Sequence, residues 1–158
     1  MTSELEQYLI NKFPKLYDTK ENSPFKLYGI ECSDGWFKII LWLSRYLDQY
    51  TEQQNKAAEK YPNHYQPVNQ IKVRQIKEKF GTLKFSVDGG NQHTEAVIGF
   101  AEYISGYICE FSGKTNDIGY NRTGLIKTRH ISYGKDLSDF NYVDDKELRN
   151  ILNNLNLK

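Results

Sequence analysis

QIKEKFGTLKFSVDGG, residues 75–90, decides the fold class. Leu83, Phe85 and Val87 alternate with Lys84 and Ser86, a two-residue period that sends one set of side chains to each face of a strand. Upstream, Ile71 and Val73 point to one side. A turn at Phe80-Gly81 makes 70–79 and 82–88 an antiparallel pair. The apolar phase changes between Val73 and Ile76, which calls for a bulge. Asp88-Gly89-Gly90 ends the second strand.

Helical periods lie on both sides. In SDGWFKIILWLSRYLDQY, residues 33–50, Ser33 or Asp34 is expected to cap the strongest helix. Trp36, Ile39, Ile40, Leu43 and Leu47 recur at three- and four-residue steps and form a buried face, which Trp42 and Tyr46 widen. TEQQNKAAEK extends this helix until Pro62 and Pro67 break the pattern. An opening helix over 2–12, capped by Thr2 or Ser3, places Leu5, Tyr8, Leu9 and Phe13 on one face and closes at Pro14. The surroundings of Pro24 read as a loop, and FKLYGIEC, residues 25–32, as a short strand.

After the hairpin a helix starts at Asn91 or Thr94, with Val97, Phe100, Ala101 and Ile104 inward and Ile108 continuing the face. The tyrosine-, glycine- and asparagine-rich segment 109–142 reads as short strands and turns. Asp144 and Glu147 have capping-box spacing for a last helix, about 144–156, carrying Leu148, Ile151 and Leu152. With no internal repeat and no flexible linker, the chain reads as a single α+β domain over 1–158, its antiparallel hairpin or small sheet packed on helices.

The 158-residue chain has 21 basic and 20 acidic side chains and a formal charge of +1, a balance unlike that of a general nucleic-acid binder. Its two cysteines, Cys32 and Cys109, are too few for a disulfide framework and read as free thiols in a reduced, cytoplasmic setting. MTSELEQYLINKF has no signal-like apolar core, and WFKIILWL is too short to span a membrane.

YGIECSDGWFKIILWL, QIKEKFGTLKF and the pair CEFSGK (109–114) and LIKTRH (125–130) together resemble a family of small phage, prophage and bacterial proteins of unassigned function. The resemblance spans about 28–130 and implies a zinc-ribbon-like C-terminal segment and a bacterial host cell. It brings no established activity. In that family the third segment carries a Cys-x-x-Cys-Gly run and a later cysteine. Here Ser112 and His130 stand at two of those positions, so the ribbon is degenerate and neither metal nor cofactor is expected.

Nothing in the sequence pairs a nucleophile with a base strongly enough to specify an enzyme, and Cys109 with His130 is the one pairing to name. Binding is the better reading. Arg74, Lys77, Lys79 and Lys84 crowd the hairpin around Phe80, and Tyr120, Arg122, Lys127, Arg129 and His130 form a second group. Cations suit phosphate and an exposed ring suits a base, so the two groups would make an anionic-ligand site across a cleft, or across the subunit boundary of a homo-oligomer. Charges guarding a strand edge are the plainer account of the same lysines. The expected function is a non-enzymatic, phage-type binder that counters host defence by capturing a nucleotide-like signal or a host protein. The alternative is a nucleic-acid-associated accessory protein descended from a zinc-ribbon binder.

Overall fold

The computed structural model of the chain describes residues 1–121, 126–133, 140–144, 146 and 150. In chain order the elements are α1 (Ser3–Lys12), α2 (Pro24–Tyr28), β1 (Ile30–Glu31), a 3-10 turn (Asp34–Trp36), α3 (Phe37–Lys60), β2 (Asn69–Lys79), β3 (Thr82–Gly90), α4 (Gln92–Ser105), β4 (Ile118–Asn121), β5 (Arg129–His130) and β6 (Phe140–Tyr142). The expected last helix over 144–156 falls largely outside the described residues, as do Glu147, Leu148, Ile151 and Leu152.

The hairpin forms as its alternation requires. β2 and β3 pair antiparallel from Asn69–Gly90 to Lys79–Thr82, and the register slips between Val73 and Gln75, where the phase change called for a bulge. Ile71, Val73, Ile76, Leu83 and Phe85 are buried, with Val87 packed at the margin. β1 joins β2 in parallel through Ile30–Ile76 and Glu31–Lys77, giving the order β1-β2-β3.

α4 lies along the free edge of β3 and satisfies it with side chains. The Leu83 amide donates to Ser105 Oγ at 2.7 Å, and the Phe85 amide donates to the Glu102 carboxylate at 2.8 Å. A helix side chain thus takes each of these two strand donors that would otherwise invite another chain. Asn91 and Thr94 start α4 together, in a reciprocal capping box. Thr94, Ile98, Ala101 and Ser105 are its buried residues, whereas Phe100 is 65% exposed, contrary to the inward position expected for it. The buried steps follow the small residues that let α4 approach the strand.

α3 runs unbroken to Lys60 and buries Ile39, Ile40, Leu43 and Leu47, with Trp36 buried just ahead of it. Trp42 and Tyr46 do not widen that face; they are 62% and 40% exposed. The face closes with Ser44 and Thr51, whose hydroxyls donate to the carbonyls of Ile40 and Leu47, so these polar residues need nothing from outside. Tyr17 meets Ser44 Oγ at 2.6 Å, and burial pushes its phenol far above the ordinary range.

Three local expectations are corrected. The Pro24 region is a helix: Ser23 Oγ accepts the Lys26 amide at 3.1 Å and Pro24 occupies the first turn, so only Ile30–Glu31 remain of the expected strand over 25–32. Neither Ser33 nor Asp34 caps α3 by its side chain; Asp34 Oδ1 instead accepts the Thr2 amide at 2.7 Å, ahead of α1. In α1 the buried residue is Leu9, followed by buried Phe13, whereas Tyr8 lies exposed against the edge of the Phe37 ring.

Segment 109–142 supplies short strands, as expected, in a second antiparallel sheet of order β5-β4-β6. The architecture is α+β. Among the described residues no helix is long and apolar enough to cross a membrane.

Candidate functional site

Lys79 and Thr82 are the last hairpin pair, leaving Phe80 and Gly81 as a two-residue loop with φ of +52° and +83°. Two positive values are what a type I′ loop demands, and Asn-Gly is its favoured sequence. Gly81 is required in a second way, since a Cβ there would meet Ile126 Cγ2 and Thr128 Oγ1 at 3.2 Å. Its amide donates to Glu78 Oε1 at 2.8 Å and its carbonyl accepts the Thr128 hydroxyl at 2.5 Å. The tip is therefore pinned to the 126–128 segment.

Glu110, only 1% exposed, ties that segment to the start of α3. It accepts the Ser33 amide and hydroxyl at 3.1 and 3.2 Å and both carboxylate oxygens accept from Lys127 Nζ. Lys127 also stands 3.7 Å from Glu78. Backbone contact reinforces the junction: the Gly35 amide donates to the Glu110 carbonyl, and a Cβ on Gly35 would fall 2.2 Å from the Cys109 carbonyl. The three sequence segments that carry the family resemblance meet here.

Cys109 is fully buried, and its Sγ accepts the Ser112 amide at 3.4 Å while Gly113, φ +72°, closes the turn. His130 Nδ1 lies 2.7 Å from the Ser132 hydroxyl and 3.1 Å from the Ser132 amide, so the ring is held by its own chain neighbour. Among the described residues no group of three or more His, Cys, Asp or Glu is placed to hold a metal ion. Cys32 is buried near Glu110, and burial pushes its thiol up to about 12.

A groove of about 370 Å³ opens beside the hairpin tip, lined by Phe80, Tyr103, Tyr107, Tyr120, Ile126 and Val143 among others. Phe80 is 75% exposed on its rim, with Lys79 Nζ 5.7 Å from the ring centroid. Tyr103 and Tyr107, one helical turn apart, meet hydroxyl to hydroxyl at 3.0 Å, and this bond holds the Tyr107 phenol above its ordinary value.

The sequence-derived site residues are thus divided. Phe80 and Tyr120 line the groove, and Lys79 stands beside the Phe80 ring at its rim. Lys77 is half-buried and directly opposite Lys84 in the register. Lys84 pairs with Glu102 at 3.1 Å and Arg74 with Asp88 at 3.2 Å. Lys127 is turned onto Glu110, and Arg129 lies over the Phe111 ring with Nη1 donating to the Tyr133 carbonyl. His130 is buried, and Arg122 lies outside the described residues. The two groups do adjoin, yet much of their charge is matched within the chain. Sequence reasoning missed Glu110, Thr128, Tyr103 and Tyr107; only the Tyr103–Tyr107 spacing carried a local signal.

Comparison of the chain with family models, with curated proteins and with solved structures gives no match.

Proposed function

We propose that the hairpin tip is the working surface of a non-enzymatic binding protein that accepts a flat ring bearing an anionic group, the chemistry of a nucleotide. The ring enters between Phe80 and the tyrosines, and Lys79, with Lys77 behind it, meets the anion. A volume of about 370 Å³ suits a ligand of nucleoside size.

One observation carries the reading. Phe80 is 75% exposed and held at positive φ, so it gains little from burial while accepting a backbone conformation that disfavours a bulky side chain. Asparagine or glycine would serve the turn better. A residue poor for the fold and held open at the mouth of a groove is best accounted for by what it touches from outside. In the phage-like setting that the sequence resemblance implies, such a protein would act by withholding a host signal rather than by transforming it.

The test is calorimetric titration with a panel of mono-, di- and cyclic nucleotides, repeated on Phe80→Asn. Saturable binding by the native chain, reduced at least about tenfold in the variant, is expected. Absence of binding across the panel, or equal affinity in the variant, overturns the assignment.

A further inference from the structure

The outward face of α3 carries a second feature that neither the core nor the groove uses. Trp42 is 62% exposed, and Lys38 and Arg45, one turn to either side, are exposed as well. Among the described residues neither cation has a carboxylate within ion-pair distance. Further along the same 24-residue helix, Glu52 and Glu59 continue the seven-residue steps set by Lys38 and Arg45. Glu52 is exposed, and among the described residues its ion pair is with its own helical neighbour Lys56.

The stripe Lys38, Arg45, Glu52, Glu59 is basic at one end and acidic at the other, with Lys56 and Lys60 standing beside its acidic end, and this stripe is complementary to itself when turned end for end. We infer that two copies of this chain associate through antiparallel packing of α3 about a two-fold axis crossing the helix between Asp48 and Gln49. That axis sets Arg45 opposite Glu52 of the partner subunit and Lys38 opposite Glu59 of the partner subunit. Both pairs lie on the same side of the seam, and symmetry makes each twice. Trp42 then crosses the seam at the level of Asn55 of the partner subunit, where its indole covers the stem of Lys56 of the partner subunit and faces its ammonium. An exposed Trp and Arg within one turn is the composition that dominates the energetics of protein interfaces. A parallel arrangement would oppose like charges along the whole helix, so orientation follows from charge. The contact is one helix against one helix, a small interface, and the association is accordingly weak and concentration-dependent.

Sedimentation velocity on the full chain, from about 10 µM to about 1 mM, is the test. The mass is expected to rise from 18.5 kDa toward twice that value as concentration increases. Arg45→Glu should weaken association at least about tenfold, because it sets like charges face to face twice, and Trp42→Ala should weaken it comparably. Arg45→Glu combined with Glu52→Arg restores the opposition of charges and should recover the dimer, which separates loss of contact from loss of fold. A single species of chain mass at every concentration overturns the inference. So does a dimer indifferent to Arg45→Glu, or a double variant that fails to recover.

Discussion

Phe85 and Phe80 occupy the root and the tip of one hairpin and live in opposite environments: the first is 2% exposed, the second 75%. At the root the side chain fills the core, and the Phe85 amide is taken by Glu102. At the tip the ring stands at the groove's rim on a backbone with φ of +52°. The same residue type does two jobs because strand alternation governs one position and turn geometry the other. The root answers to stability and the tip to contact with something else, which makes the two separable by mutation.

The largest effect should come at the root. Phe85→Ala removes a buried ring from the meeting of β2, β3 and α4, and is expected to lower unfolding free energy by about 3–5 kcal/mol. Chemical denaturation followed by circular dichroism measures it; a cost under about 0.5 kcal/mol, the range of surface changes, would erase the distinction between root and tip.

Next is the junction that holds the tip in place. Gly35→Ala drives a Cβ to 2.2 Å from the Cys109 carbonyl and 2.5 Å from the Glu110 carbonyl, so one backbone must retreat. A loss of about 1–3 kcal/mol is expected, as for other overpacked sites. Because Glu110 and Thr128 connect this junction to Gly81, amide exchange at the hairpin tip should quicken in the same variant. Unchanged exchange there would show that the tip is held without the junction.

At the tip the sign reverses. Phe80→Asn places a residue tolerant of the left-handed region in a type I′ loop and sacrifices little burial, so the protein should gain about 0.5–1 kcal/mol. A melting temperature that falls instead would mean that Phe80 supports the fold and that root and tip are alike.

The sequence makes the root readable for a physical reason. Leu83, Phe85 and Val87 announce their strand locally, as Ile40, Leu43 and Leu47 announce α3, because burial of a regular element imposes its own period. Trp42 and Phe100 show the limit of that logic: each stands at a helical spacing that fits an apolar arc, but the arc is wider than the surface available to cover it. Which apolar residue stays outside is settled by the neighbouring element, here by the small residues on α4 and the self-satisfied hydroxyls on α3. The Ser23-Pro24 start of α2 was present in the sequence as a cap followed by proline, yet the loop signal of the surrounding residues masked it. Glu110 was out of reach altogether. A buried carboxylate is recognisable only by its partners, and Ser33 lies 77 positions away. The candidate site was half legible: Phe80 and Tyr120 were named from the sequence and do line the groove, with Lys79 beside the Phe80 ring, whereas the match of Lys127 to Glu110 and of Lys84 to Glu102 depends on folding.

The smallest stability effect, and the sharpest use of the comparison, lies in the lysines between root and tip. Replacing Lys77, Lys79 and Lys84 together by glutamine removes the Lys84–Glu102 pair, whose lysine is about half exposed, while Glu102 keeps the Phe85 amide, so the loss should be small. It also relieves the repulsion of Lys77 and Lys84, placed directly opposite each other. These contributions have opposite signs, so the net change should stay within about 0.5 kcal/mol. Ligand capture should divide the three. Lys84 is held by Glu102 from α4, and its single glutamine variant should bind nearly as the native chain does. Lys79 lies beside the Phe80 ring and Lys77 has no ion pair among the described residues, so their glutamine variants should lose affinity for an anionic ligand. If all three singles and the triple bind as the native chain does, the lysines only guard the hairpin's surface, and the groove recognises its ligand through aromatic contact alone.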